Sequence, residues 1–309
     1  MSARVRLLTL GILLAGGISL AVSLAVVGAR SPLPSTLTSL FQIVGIPVKL
    51  VDRSVSRVIP VSSIDERELG EAIRTAREAA QPPRGYPDWD QLYLDAVLPA
   101  AAAHARKPFS YRVFVVDASV PNAMAMPGGV LVVTRGLLDV LQSEDEVVAV
   151  LAHEVGHVEL GHCFDSVRFE LLGRKIGHGA MGMFADIAAY VMAGHAFSKT
   201  QEDEADTYAW QVLVASDYSP AGAAAAFESL KAWADRQGRP VEAPGASLFR
   251  DYFASHPPLE IRAAKFRAQA QRWRAAHRDV SRYVGRRNLK ERSARASGAA
   301  YDGEWTMSN

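Results

Sequence analysis

Two imidazoles four residues apart, His153 and His157, flank Glu154 in the stretch LAHEVGHVELGH. On a helix of 3.6 residues per turn they lie about 40° apart and about 6 Å along the axis, a separation that one tetrahedral zinc ion accepts from two ring nitrogens. Glu154 then sits beside the open coordination position. A carboxylate there can take a proton from water at the metal and pass it to a leaving amine, the general-base role in a zinc peptidase. His162 invites a three-histidine pattern, but that pattern places its third His at position 163, which is Cys. On a continuing helix His162 would lie about 140° round from His157, so a structural role is expected of it.

Two histidines leave zinc short of a protein ligand, and a carboxylate from another helix is the usual supplement. Gln201-Glu202-Asp203-Glu204-Ala205-Asp206 offers one. Glu202 and Asp206 share a helix face at i and i+4, so one can bind metal while the other accepts the free N–H of a ligating imidazole and fixes its tautomer. Asp203 and Glu204 are expected to face solvent.

These groups need rigid carriers. SEDEVVAVLA precedes the histidines; Ser143 and Glu146 have capping-box spacing, and Val147, Val150, Leu151 and Val158 recur with helical period, so the motif is predicted on a helix. Ser63 with Glu66 predicts a helix over 65–80, and another follows over 88–105. The β-branched stretches Tyr111 to Asp117 and Gly129 to Thr134 read as strands, the second entered through residues 122–129, NAMAMPGG. Phe164 to Lys175 is expected to continue as helix, with further helices at 200–215, 220–237 and 258–276. Gly177 to Ala196, glycine- and alanine-rich with Asp186 at its centre, reads as a buried or membrane-touching helix rather than a span. The connection 238–255 is long enough to suggest a functional loop, and it ends at His256-Pro257-Pro258.

A chain of 309 residues with 49% hydrophobic and 22% charged residues can bury a large core. Its net charge of +1 argues against a nucleic-acid partner. From Arg262 to Arg295 there are 12 Lys or Arg against Asp279 and Glu291, a solvated face or a surface for anionic lipid. The single cysteine, Cys163, excludes an intrachain disulfide. Leu7 to Ala29 is free of charge and would span about 34 Å as a helix, enough for a bilayer core of about 30 Å. More positive charge precedes it than closely follows it, which places the bulk of the chain outside the cytoplasm. Cleavage as a signal peptide after Val27-Gly28-Ala29 is the alternative. The expected division is a membrane anchor or signal segment at 1–30, a linker and extended segment at 31–64, a globular domain at 65–276, and a basic, disordered tail at 277–309.

With these landmarks the chain resembles the gluzincin metallopeptidases typified by HtpX, BepA and the Oma- and Ste-type membrane-linked proteases. The likeness covers roughly 65–275 and rests on NAMAMPGG, HEVGH, EDEAD, and His256-Pro257-Pro258 followed by Arg262. It implies an α+β fold, a mainly helical zincin-type domain with a small sheet behind one N-terminal transmembrane helix. It implies His153, His157 and Glu202 as ligands of one zinc ion, Glu154 as base, and Asp206 beside a ligand. His256 and Arg262 would approach the metal from the last loop and helix, His256 as a latch over the metal or as a donor to the tetrahedral oxyanion. The chain departs from the pattern at Thr207, where bacterial relatives commonly carry Arg, so that position supplies no salt bridge to the site. The extended segment ending at Gly128-Gly129 would border the cleft and hold a peptide by strand addition, or be an ordinary hairpin turn.

The expected function is zinc-dependent hydrolysis of misfolded or misassembled envelope and membrane-proximal proteins, at the inner membrane with the domain facing the periplasm. The alternatives are a periplasmic enzyme after signal cleavage, and a chaperone or assembly factor that uses the same cleft with little cutting.

Overall fold

The computed structural model describes residues 62–80, 87–168, 197–237 and 259–306, which form a mainly helical domain with a small mixed sheet. In chain order the elements are α1 (Ser63–Ala80), α2 (Trp89–Ala101), β1 (Arg112–Val116), β2 (Ala123–Met126), β3 (Val130–Thr134), α3 (Arg135–Val140), α4 (Glu144–Glu159), α5 (Lys199–Ala215), α6 (Gly222–Gln237), α7 (Leu259–Ala276), β4 (Arg282–Tyr283), α8 (Arg286–Glu291) and β5 (Trp305–Thr306). The segment carrying Leu7 to Ala29, the glycine-rich stretch 177–196 and the loop with His256 lie outside the described residues. Among those described, no helix is long and apolar enough to cross a membrane.

Val130 to Val133 is apolar and every residue through Thr134 is buried, as befits the middle of a sheet covered on both faces. It lies between β1, parallel to it with Val113 opposite Leu131, and β2, antiparallel to it with Ala125 opposite Leu131. The NAMAMPGG stretch is therefore a strand of its own, turned at Pro127 to Gly129 into β3. β3 runs straight into α3 because Thr134 does two jobs. Its hydroxyl accepts from Leu137 N as helix cap and donates to Val120 O, which ties the strand exit to the loop before β2.

α4 is buried on every side from Glu144 to Val158 and packs against α5 most extensively, then α6, α2 and β2. Its contact with α5 is closest at Gly156. A Cβ there would stand 3.1 Å from Tyr208 Cβ and 3.3 Å from the backbone of Ala205, so a side chain at this position requires α5 to give by a few tenths of an ångström. The helix stops at Leu160, whose amide bonds to Gly156 O, and Gly161 turns the chain at φ +81°. A fresh helical turn starts at 162.

The capping expected at Ser143 takes another form. Its hydroxyl donates to Asp145 and Glu146 and caps no amide; the first amides of α4, Glu144 N and Asp145 N, bond instead to Gly285 O and Val284 O. Likewise Ser62, with Asp65, starts α1, while Glu66 is buried against Lys107 Nζ at 2.9 Å. Those carbonyls come from the stretch read as a disordered tail, and residues 282–306 are folded. β4 pairs with β5, Arg292 pairs with Asp90 at 2.6 Å, and the buried Asn288 bonds to Tyr283 Oη, Ser293 O and Ala299 O. Low apolar content misled there because the segment is held by polar bonds to the domain, with Tyr283 and Leu289 its buried anchors.

Replacing Gly156→Val should force α4 and α5 apart and cost about 1–3 kcal/mol of stability through overpacking. Urea unfolding of the metal-free protein measures it; an unchanged midpoint would mean the helices have room to spare.

Candidate metal centre

α4 and α5 bring three donors together. His153 Nε2 and His157 Nε2 are 3.1 Å apart, Glu202 Oε1 is 3.3 Å from His157 Nε2, and Glu202 Oε2 is 3.5 Å from His153 Nε2. A tetrahedral ion with bonds of about 2.0–2.1 Å holds its donors about 3.3 Å apart, so this trio has the span of a zinc-sized ion. All three residues are buried, which excludes the loose acidic clusters of protein surfaces.

The other ring nitrogen of each histidine is also engaged. His153 Nδ1 lies 3.2 Å from Asp206 Oδ1, so an N–H there donates to the carboxylate and directs Nε2 toward the other donors. His157 Nδ1 lies 3.0 Å from Nδ1 of His162, whose Nε2 is 3.0 Å from Glu204 Oε2. The His157 ring is stacked at 3.8 Å, tilted 21°, on Phe197, the residue just before the Ser198–Gln201 capping box of α5.

Arg262, buried on α7, reaches into the same cluster. Its Nε and Nη2 donate to Asp206, Nη1 lies 2.6 Å from Glu202 Oε2, and Nη2 is 3.2 Å from both ring nitrogens of His153. Burial disfavours the Asp206 anion, but His153 and Arg262 outweigh it and hold the carboxyl below its ordinary range. Burial and Arg262 depress His153, yet the Asp206 and Glu202 carboxylates prevail and push it up to about 9. Burial lowers His162, outweighing the Glu204 carboxylate beside it. Glu154 is buried beside His153 on α4.

Of the residues singled out in the sequence, His153, His157, Glu202, Asp206 and Arg262 come together, Glu154 is on the same helix, and His256 lies outside the described residues. The salt bridge not expected from Thr207 reaches Asp206 from α7 instead. His162 and Glu204 are neither remote nor fully solvated; Asp203 pairs with Lys265 at 3.0 Å. The angle of 140° assumed an unbroken helix, and Gly161 breaks it, swinging His162 back under His157. Gly161 in VELGH was the available signal.

A model of peptidase family M48 matches residues 88–270. Metalloprotease LoiP of Escherichia coli is 32% identical over 160 residues, 48% of this chain and 59% of that protein. The mitochondrial metalloendopeptidase OMA1 of Arabidopsis thaliana is 30% identical over 180 residues, 57% of this chain and 34% of that protein. The beta-barrel assembly-enhancing protease of Escherichia coli is 26% identical over 201 residues, 59% and 39% of the respective chains. The chain thus spans less than two thirds of each of these relatives.

Arg262→Met would leave Glu202 and Asp206 buried without their shared cation. The metal-free protein should lose about 3–5 kcal/mol in urea unfolding, as for other broken buried pairs; a loss comparable to that at a surface ion pair would show that Arg262 does not neutralise the site.

Proposed function

The chain belongs to peptidase family M48, and we propose that it is a zinc-dependent endopeptidase in which His153, His157 and Glu202 hold the metal and Glu154 is the base. The spacing of the three buried donors, 3.1 to 3.5 Å, carries this reading. Zinc supplies Lewis-acid polarisation of the scissile carbonyl and lowers the pKa of water. The remaining work falls to the chain's own groups. Glu154 takes the proton of the attacking water and returns it to the leaving amine. Asp206 holds His153 in the Nδ1–H tautomer, and Arg262 fixes Glu202 through Oε2 and neutralises part of the acidic pair. Among the described residues β2 is an edge of the sheet, and it packs against α4, so an extended peptide that adds to it lies alongside the metal helix, held by main-chain bonds with broad sequence tolerance.

Substrates of that kind are chains with exposed extended segments. Misassembled or damaged envelope proteins near the membrane fit, given the apolar Leu7 to Ala29 segment and a relative named for enhancing β-barrel assembly. The assembly-factor alternative has no use for Glu154, and the same relative is named a protease. His256 is assigned the role of a latch that closes the site until its loop moves.

Glu154→Gln should abolish casein cleavage while about one zinc per chain is retained; Glu202→Ala should lose both. An active Glu154→Gln protein would exclude this mechanism.

His256→Ala separates the two roles open to that side chain. Proteolysis of a protein substrate should rise; a fall of about 10²-fold with zinc content unchanged would instead make it an oxyanion donor.

A further inference from the structure

His157 makes a contact that the proposed reaction does not use. Its Nε2 faces His153 and Glu202, and its Nδ1 faces Nδ1 of His162 at 3.0 Å. His162 belongs to no catalytic group; it is buried, sits one residue past the Gly161 turn, and reaches Glu204 Oε2 with its far nitrogen. Glu204 stands two residues from Glu202 on α5, half-exposed, at the outer end of the chain of contacts.

Only one arrangement of protons satisfies these distances and leaves a lone pair for a metal. If His157 Nε2 is to donate electrons, the ring's proton is on Nδ1, and His162 Nδ1 must accept it. His162 then carries its own proton on Nε2, where the Glu204 carboxylate accepts it. The reverse direction would put the His157 proton on Nε2 and block the ligand position. We propose that His162, anchored by Glu204, is a positioning residue that sets the tautomer and ring orientation of His157 as a metal ligand.

The arrangement parallels the one on the other imidazole. Asp206 serves His153 directly; the partner of His157 Nδ1 is a second imidazole, with the carboxylate one hydrogen bond further out. Phe197 stacked on the His157 face limits tilting but offers no ring-plane acceptor, whereas His162 meets Nδ1 at hydrogen-bond distance and so favours one of the two ring flips of His157.

The inference rests on His157 being a metal ligand, and zinc affinity of the full chain, measured by competition with a chelator, tests both separately. If the parent protein binds no zinc, the metal reading fails; if the parent binds and the variants below match it, only the role of His162 fails. His162→Leu should weaken zinc about 10- to 100-fold, the usual effect of losing a partner of a ligating imidazole. His162→Asn keeps an acceptor near the Nδ1 position and should restore most of the affinity; an Asn variant as weak as Leu would reduce His162 to a space-filling role and overturn the proposal. Should His162→Leu fail to fold, Glu204→Leu carries the test at a half-exposed site. Its zinc affinity should fall with the thermal unfolding of the metal-free form unchanged, Glu204→Gln should recover it through the amide oxygen, and an unaltered Glu204→Leu affinity overturns the proposal.

Discussion

Glu144, Asp145, Glu146, His153, Glu154 and His157 all ride on one helix that is buried on every side, and an ionised group removed from water without a partner costs several kcal/mol even after relaxation. Each element packed on α4 therefore brings polar groups as well as apolar surface. At the N-terminal end burial raises the carboxyls of Glu144, Asp145 and Glu146, and hydrogen bonds offset part of that cost. Glu144 accepts from Tyr218 Oη at 2.7 Å and from Arg295 N, and Glu146 accepts from Ser229 Oγ and Gln142 N. At the other end α5 and α7 supply the carboxylates and the guanidinium that meet the imidazoles.

Two kinds of attachment thus hold α4 in place. Its first amides bond to the carbonyls of Val284 and Gly285, and its last turns lie against α5 across Gly156. A site whose donors must stay within a few tenths of an ångström of tetrahedral spacing needs such a carrier, because a 1 Å error in a ligand spoils the geometry. The C-terminal segment 282–306 contributes no group to the metal centre, yet it fixes the start of the helix that carries two of the ligands. Function at one end of α4 is in this way tied to residues at the far end of the chain.

The helices over 65–80, 200–215, 220–237 and 258–276, the strands at Tyr111 to Asp117 and Gly129 to Thr134, and the helical placement of His153 and His157 were legible because each depends on local period or spacing. Glu202 could be picked out because a two-histidine set chemically requires a third ligand. Three features were not legible. The capping of α4 by Val284 and Gly285 is a contact across more than a hundred residues, and nothing near Ser143 announces it. The order of 282–306 comes from single polar anchors such as Asn288, to which average composition is blind. The return of His162 to His157 turns on one backbone angle at Gly161, and a helical-wheel argument carried through that glycine points the ring the wrong way.

Charge explains why these buried groups favour a cation. Glu202 and Asp206 share a face of α5 at i and i+4, where like charges repel, and the burial that strengthens every interaction there strengthens that repulsion. Arg262 bridges both carboxylates but brings one positive charge to two negative ones, and the shortfall appears in His153, which the same carboxylates hold protonated against burial and against Arg262. A ligating imidazole must give up that proton, so a divalent ion among the three donors replaces it with a larger positive charge at the same place. Arg262 meets Glu202 at Oε2, and Oε1 remains turned toward His157. The guanidinium therefore stabilises the carboxylate pair from the side of α7 while Oε1 is left to face His157.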